Sequence, residues 1–294
     1  MKLEYLVDTD NLSINSILKN KLNISSNLYY KLIKGHFIYL NNEKCDTRTL
    51  ANKNDLITID FGYAEDNSNI VPKDIPFKII YEDEWILVVQ KDAGIATIPS
   101  ILHYEDTLEN GIKFYFDKIN LKKKIRPVNR LDLNTSGLVV FAKCEYIQQC
   151  LINQMKNNLF SKEYLAICEG TFNQKIGEIR FPIGRKPGSI IEREVSSNGK
   201  LAITDYEVIK EFNNLSLVKC ILKTGRTHQI RIHMKEISHP LLGDSLYGNK
   251  SDLISRQSLH CYKITFIHPI TKNKLELISN LPQDFLNIIY RVNL

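Results

Sequence analysis

The stretch Arg126-Pro127-Val128-Asn129-Arg130-Leu131-Asp132-Leu133-Asn134-Thr135-Ser136-Gly137-Leu138-Val139-Val140-Phe141-Ala142-Lys143 decides how this chain is read. It sets one carboxylate, Asp132, next but one to a guanidinium, Arg130, and just ahead of a small polar turn. A carboxylate held beside a guanidinium is favoured in its ionised, hydrogen-bonded form. Thr135, Ser136 and Gly137 supply turn chemistry and room for a ligand or another backbone to approach. The apolar run Leu138–Ala142 reads as a strand that anchors the loop in a core. The pattern is that of a preorganised nucleophilic carboxylate. Taken alone, an R-x-D triplet more often marks a structural ion pair.

Two further blocks lie downstream. The first is Thr224-Gly225-Arg226-Thr227-His228-Gln229-Ile230-Arg231-Ile232-His233-Met234, and the second is His239-Pro240-Leu241-Leu242-Gly243-Asp244-Ser245-Leu246-Tyr247-Gly248. With the Asp132 stretch they resemble, in order, the motifs of the RluA-type pseudouridine synthases: H-R-L-D-x-x-T-S-G-L, G-R-T-H-Q-I-R-x-H and H-P-[IL]-x-G-D-x-x-Y-G. Asn129 stands where the first motif has histidine. Lys162-Glu163-Tyr164-Leu165-Ala166 resembles the family's K-x-Y-x-A strand, and Lys91-Asp92-Ala93-Gly94 its K-P-A-G turn, with Asp92 in place of proline.

The resemblance implies an isomerase that moves uracil from an N1 to a C5 link on its ribose in RNA. Asp132 is implied as the catalytic carboxylate, Arg231 as its cation, and Tyr164 as the ring under the uracil. A target inside a stacked helix must be flipped out or start unpaired. Arg130 is implied as the residue that fills the vacated space or clamps the flipped nucleotide. Asn129, His228 and Gln229 complete the expected substrate contacts. The reaction needs no redox change and no added group, so no cofactor is expected. His228 and His233 are five apart and no H-E-x-x-H occurs, so no metal site is expected either.

Composition agrees with such a protein. The 294 residues suit about two domains. The net charge of +6 fits a polyanionic partner without requiring one. The six cysteines form no C-x-x-C pair, which points to a reducing compartment. Met1–Asp8 lacks the apolar core of a signal peptide, and no apolar run is long enough to span a bilayer. A cytoplasmic monomer with no obligatory protein partner is expected.

Residues 1–62 read as a separate unit. Helical spacing predicts helices over 14–22 and 26–34, with Gly35 ending the second in a left-handed conformation. A strand near Phe37–Leu40, an Asn41-Asn42 turn and a strand over 56–61 follow. The order resembles the alpha-L RNA-binding motif of a ribosomal protein. The unit holds eight Lys/Arg against seven Asp/Glu, so any RNA affinity must come from placement. Lys31, Lys34 and His36 are the expected contacts. Residues 63–76 are polar with two prolines and read as a linker. Residues 77–294 are then the catalytic domain, an α+β fold around a mixed, mainly antiparallel sheet. Helices are expected over 107–118, 145–157 and 227–237. A chain begun near Phe77 is expected to fold and keep the chemical step. The run Lys122-Lys123-Lys124, just before the catalytic loop, is expected to raise the local RNA concentration.

These features predict a pseudouridine synthase acting on structured RNA. Ribosomal RNA is the first expectation and transfer RNA the second. Two rivals are a non-catalytic RNA-binding or ribosome-assembly factor that keeps the fold, and a hydrolase that releases uracil.

Overall fold

Alternation of large apolar residues along the catalytic half builds one sheet of nine strands among residues 1–293, which the computed structural model describes. Its order runs 176–180, 203–212, 215–222, 161–169, 259–267, 136–142, 86–91 and 78–82, with 274–278 also paired to 259–267. Every pairing is antiparallel except that of 259–267 with 136–142. The expected mixed, mainly antiparallel sheet is what forms.

The strand Ser136–Ala142 is buried along its whole length, so the Asp132 loop ahead of it starts from a fixed base. Its parallel neighbour approaches very closely at Gly137. That residue has φ +118°, and a Cβ there would lie 2.2 Å from the Cys261 carbonyl oxygen. Only glycine fits, which explains the Ser-Gly step.

Helices Leu108–Lys118, Glu145–Lys156 and Gln229–Glu236 form where the periodicity places them. Thr107 and Asn110 cap the first reciprocally.

The first unit carries a four-stranded sheet in the order Lys2–Leu6, Leu56–Asp60, Ile38–Leu40 and Glu43–Lys44. The Ser26–Lys34 helix is capped by Ser25, which accepts from Leu28 N. Two details depart from expectation. The first helix tightens only briefly as α-helix, then widens to a π-turn over Ile17–Lys21. The left-handed residue after the second helix is His36 (φ 52°), while Gly35 stays right-handed.

Residues 63–76 are polar yet not loose. Glu65 is 3 % exposed and binds Arg126 through both carboxylate oxygens, at 2.7 and 2.8 Å. It also takes Lys31 Nζ at 2.6 Å. Lys31 reaches on to Glu145 at 3.2 Å. Lys123 is buried, donates to the Phe61 and Tyr63 carbonyls, and lies over the Tyr63 ring. Phe61 stacks on Tyr146, and Gln149 meets Ser25 N at 3.0 Å. The expected linker therefore runs through a charged, partly aromatic junction between the two units.

Candidate active site

A cleft of about 1010 Å³ opens over the middle strands of the sheet. The Asp132 loop, the Ser161–Glu169 strand and the start of the Gln229–Glu236 helix wall it.

Asp132 sits in this cleft, 28 % exposed. Its Oδ2 faces Arg231 Nη1 at 3.8 Å and His228 Nε2 at 4.0 Å. Arg231 is itself held from behind. Its Nε and Nη2 donate to the two oxygens of buried Asp244, each at 2.7 Å, and its plane lies over the Tyr247 ring. Burial alone would lower its pKa. The bidentate Asp244 outweighs that and raises it. The guanidinium is therefore a fixed charge with one nitrogen left to face Asp132.

His228 takes a left-handed backbone (φ 58°) at the head of its helix. Its Nδ1 shares a hydrogen bond with the Tyr247 hydroxyl at 2.8 Å. Burial pushes its pKa below the ordinary histidine value, with Asp132 opposing and Arg231 assisting. At neutral pH the ring is uncharged. Tyr164 is buried in the same cleft. Burial, then its bond to Cys261 and the nearby Asp132, raise its pKa well above the ordinary phenol, so it stays protonated.

The loop carrying Asp132 is pinned from below. Lys91 is fully buried and donates to the carbonyls of Asp92, Ile95 and Leu133 at 2.8, 2.6 and 3.0 Å. Burial pushes its pKa down to about 7. Thr97 Oγ1 donates to Leu131 O and accepts from Leu131 N. Arg256 reaches Asn134 O at 3.0 Å and is itself held by Asp284.

Two expected substrate contacts are occupied within the protein. Asn129 accepts from Val140 N and donates to Leu138 O, so its amide pins the strand edge. Gln229 accepts from Thr224 Oγ1 and Arg226 N and donates to Ile203 O and Thr204 Oγ1. Both line the cleft, but with side chains already bonded. Arg130 is exposed at the rim, and its charge partly offsets the burial that raises Glu109 to about 7. In the first unit Lys34 and His36 are exposed, while Lys31 is bound by the two carboxylates already described.

Replacing Asn129 by alanine tests its place. Val140 N and Leu138 O would be left buried without partners, at roughly 1–3 kcal/mol. Denaturant unfolding should show that loss. Turnover of the folded variant should stay near the wild-type value.

The model of a family described as RNA pseudouridylate synthase matches residues 85–236, which hold Asp132, Tyr164 and Arg231. The chain belongs to this family. A protein of Bacillus subtilis (strain 168) bearing the name Uncharacterized RNA pseudouridine synthase YjbO is 35% identical over 255 residues, 87% of this chain and 90% of that protein. Another from the same strain, named Uncharacterized RNA pseudouridine synthase YhcT, is 37% identical over 275 residues, 93% of this chain and 91% of that one. Ribosomal large subunit pseudouridine synthase D of Blochmanniella floridana is 38% identical over 240 residues, 76% of this chain and 75% of that one. In fold, the chain is similar to Human RNA Pseudouridylate Synthase Domain Containing 1, with TM-score 0.60 and 24% identity over 71% of this chain and 85% of that one. The protein is thus an RNA pseudouridine synthase, an isomerase of uridines in RNA.

Four residues of this pseudouridine synthase carry site geometry that the sequence left without a role: Lys91, Asp244, Tyr247 and Arg256. The first three lie inside recognised motifs, which was the available signal. Arg256 lies in none of them, and only the tertiary fold brings it under the loop.

Proposed function

We propose that Asp132 is the catalytic carboxylate of this synthase, acting at the ribose of a flipped uridine, with Arg231 as its cation and Tyr164 beneath the base. The observation that carries this reading is the Asp132 carboxylate facing Arg231 at 3.8 Å and His228 at 4.0 Å in the cleft that Tyr164 also lines. A carboxylate can add to an electron-poor carbon or take a proton and then leave. Arg231 is preorganised by Asp244, so it stabilises charge without moving. Tyr164 offers a ring face for stacking and its phenol oxygen for proton transfer at C5, where the hydrogen must leave as the new bond forms. Arg130, exposed at the rim, is the residue for the space the flipped base leaves. Neither a cofactor nor a metal has a step in this chemistry.

The substrate we propose is large-subunit ribosomal RNA. Relatives bearing the name Ribosomal large subunit pseudouridine synthase D support it. The first unit acts as an RNA-binding domain through exposed Lys34 and His36. The enzyme works as a monomer in the cytoplasm. Among the described residues no helix is long and apolar enough to cross a membrane.

The test is to map pseudouridines in total RNA from cells with and without the protein. A pseudouridine lost from large-subunit ribosomal RNA, and restored by purified enzyme in chelator, is expected. A loss confined to transfer RNA would move the substrate. No loss anywhere would favour the assembly-factor rival, and free uracil among the products the hydrolase.

A further inference from the structure

The hairpin made by Ile183–Arg185 and Arg193–Val195 stands outside the main sheet. Its register sets Arg185 directly opposite Arg193. Opposed residues of an antiparallel pair project from the same face, and like charges there destabilise the pair. Lys200 joins that face, because its backbone bridges Ile183. The bridge is close: a Cβ on Gly199 would lie 2.5 Å from the Ile183 backbone. Arg226 comes alongside, anchored by Nε donating to Leu201 O at 3.1 Å. The four cations line a notch of about 280 Å³.

Two neighbouring lysines are compensated. Lys186, on the same hairpin, pairs with Glu192, and Lys223 pairs with Glu178 and Asp205. Among the described residues none of the four notch cations forms an ion pair. Arg193 Nη1 donates to the backbone carbonyls of Ile190, Ile191 and Glu192, which leaves its charge without a carboxylate. Arg193 and Arg226 also line the catalytic cleft, so the notch opens directly beside it.

We propose that the notch is a phosphate site that holds a backbone phosphate of the RNA neighbouring the flipped nucleotide, an inference that rests on the reading of the cleft as the uridine site. A phosphodiester carries the missing negative charge, and its oxygens match the forked donors of guanidinium groups. Such a contact positions the strand and reads no base.

The test uses the full chain with Arg185→Ala and Lys200→Ala combined. Both side chains are exposed, and an unchanged melting temperature would show the fold intact. Binding of a labelled RNA hairpin is measured across potassium chloride concentrations, and turnover on the transcript in which mapping finds the pseudouridine. Affinity should fall roughly tenfold and the slope of log affinity against log salt should flatten by about one or two units. KM should rise in step while kcat holds. Arg185→Lys alone should keep most of the affinity, since the charge remains. An unchanged affinity and slope would overturn the proposal. So would a loss of kcat at unchanged KM. Inorganic phosphate competing with the RNA hairpin at micromolar concentration would overturn the backbone assignment. If the wild-type enzyme forms no pseudouridine on any RNA, the cleft reading fails, while the hairpin titration still judges the notch.

Discussion

Asp132→Asn should abolish pseudouridine formation and leave RNA binding intact. The substitution keeps the shape of the side chain and removes its charge and its nucleophilic oxygen pair. Loss of an attacking group in an otherwise complete site costs on the order of 10⁴-fold or more in kcat. Folding should be untouched. Arg231 keeps both bonds to Asp244, so no buried cation is orphaned. The loop keeps its anchors at Lys91 and Thr97, which hold backbone carbonyls rather than the carboxylate. Release of the C5 hydrogen from labelled uridine reads the chemistry, and a filter or polarisation assay reads the binding. Turnover that persists in the variant would remove Asp132 from the mechanism.

Glu65→Ala should destabilise the protein by roughly 3–5 kcal/mol, because one partner of a buried charge cluster is deleted and the others remain. Among the described residues Arg126 would lose its only carboxylate and Lys31 one of two. Chemical unfolding should show the loss, and limited proteolysis should cut the 63–76 segment faster. The wild type should show the same weakness in acid. Burial would raise the Glu65 pKa, but Arg126 and Lys31 bring it down to about 2. A carboxyl depressed in the folded state stabilises above its unfolded value, about 4.3, and that contribution is lost as pH falls toward 2. The junction should therefore hold at pH 5 and loosen progressively below about pH 4. A variant as stable as wild type, or a junction that opens at pH 6, would show that Glu65 is not what fastens the two units.

What could be read from the sequence was local or motif-bound. The catalytic loop and its strand follow one another in the chain, so Asp132 and Ser136–Ala142 were legible together. The helix carrying Arg231 announced itself by spacing. The missing parts depend on residues far apart in sequence. Composition makes 63–76 a linker, yet Glu65 is buried because Arg126 and Lys31 arrive from either side. Lys31 looked like an RNA contact for the same reason: a lysine does not show in sequence which carboxylates it will meet. The run Lys122–Lys124 was expected to gather RNA, but Lys123 turns inward to the carbonyls of Phe61 and Tyr63. A break near Phe77 would strand Lys123 and Arg126 and uncover Tyr146, so the shortened chain expected to fold alone would lose much of its support. The left-handed residue fell on His36 rather than Gly35 because Gly35, just past the helix end at Lys34, keeps a right-handed backbone and passes the turn to the next residue.

On the proposed reading of the first unit as an RNA-binding domain, the fastened junction would also change how the enzyme chooses among RNAs. Two binding surfaces joined by a loose tether can meet partners at many separations, at an effective concentration set by the tether. Two surfaces locked in one body cannot. An RNA whose helix and target uridine match the fixed span engages both surfaces with little further loss of freedom, and one that is a few base pairs off engages only one. Avidity then acts as a distance filter. Site selection would follow from how far the uridine lies from the helix that the first unit grips, even where the surrounding bases are the same.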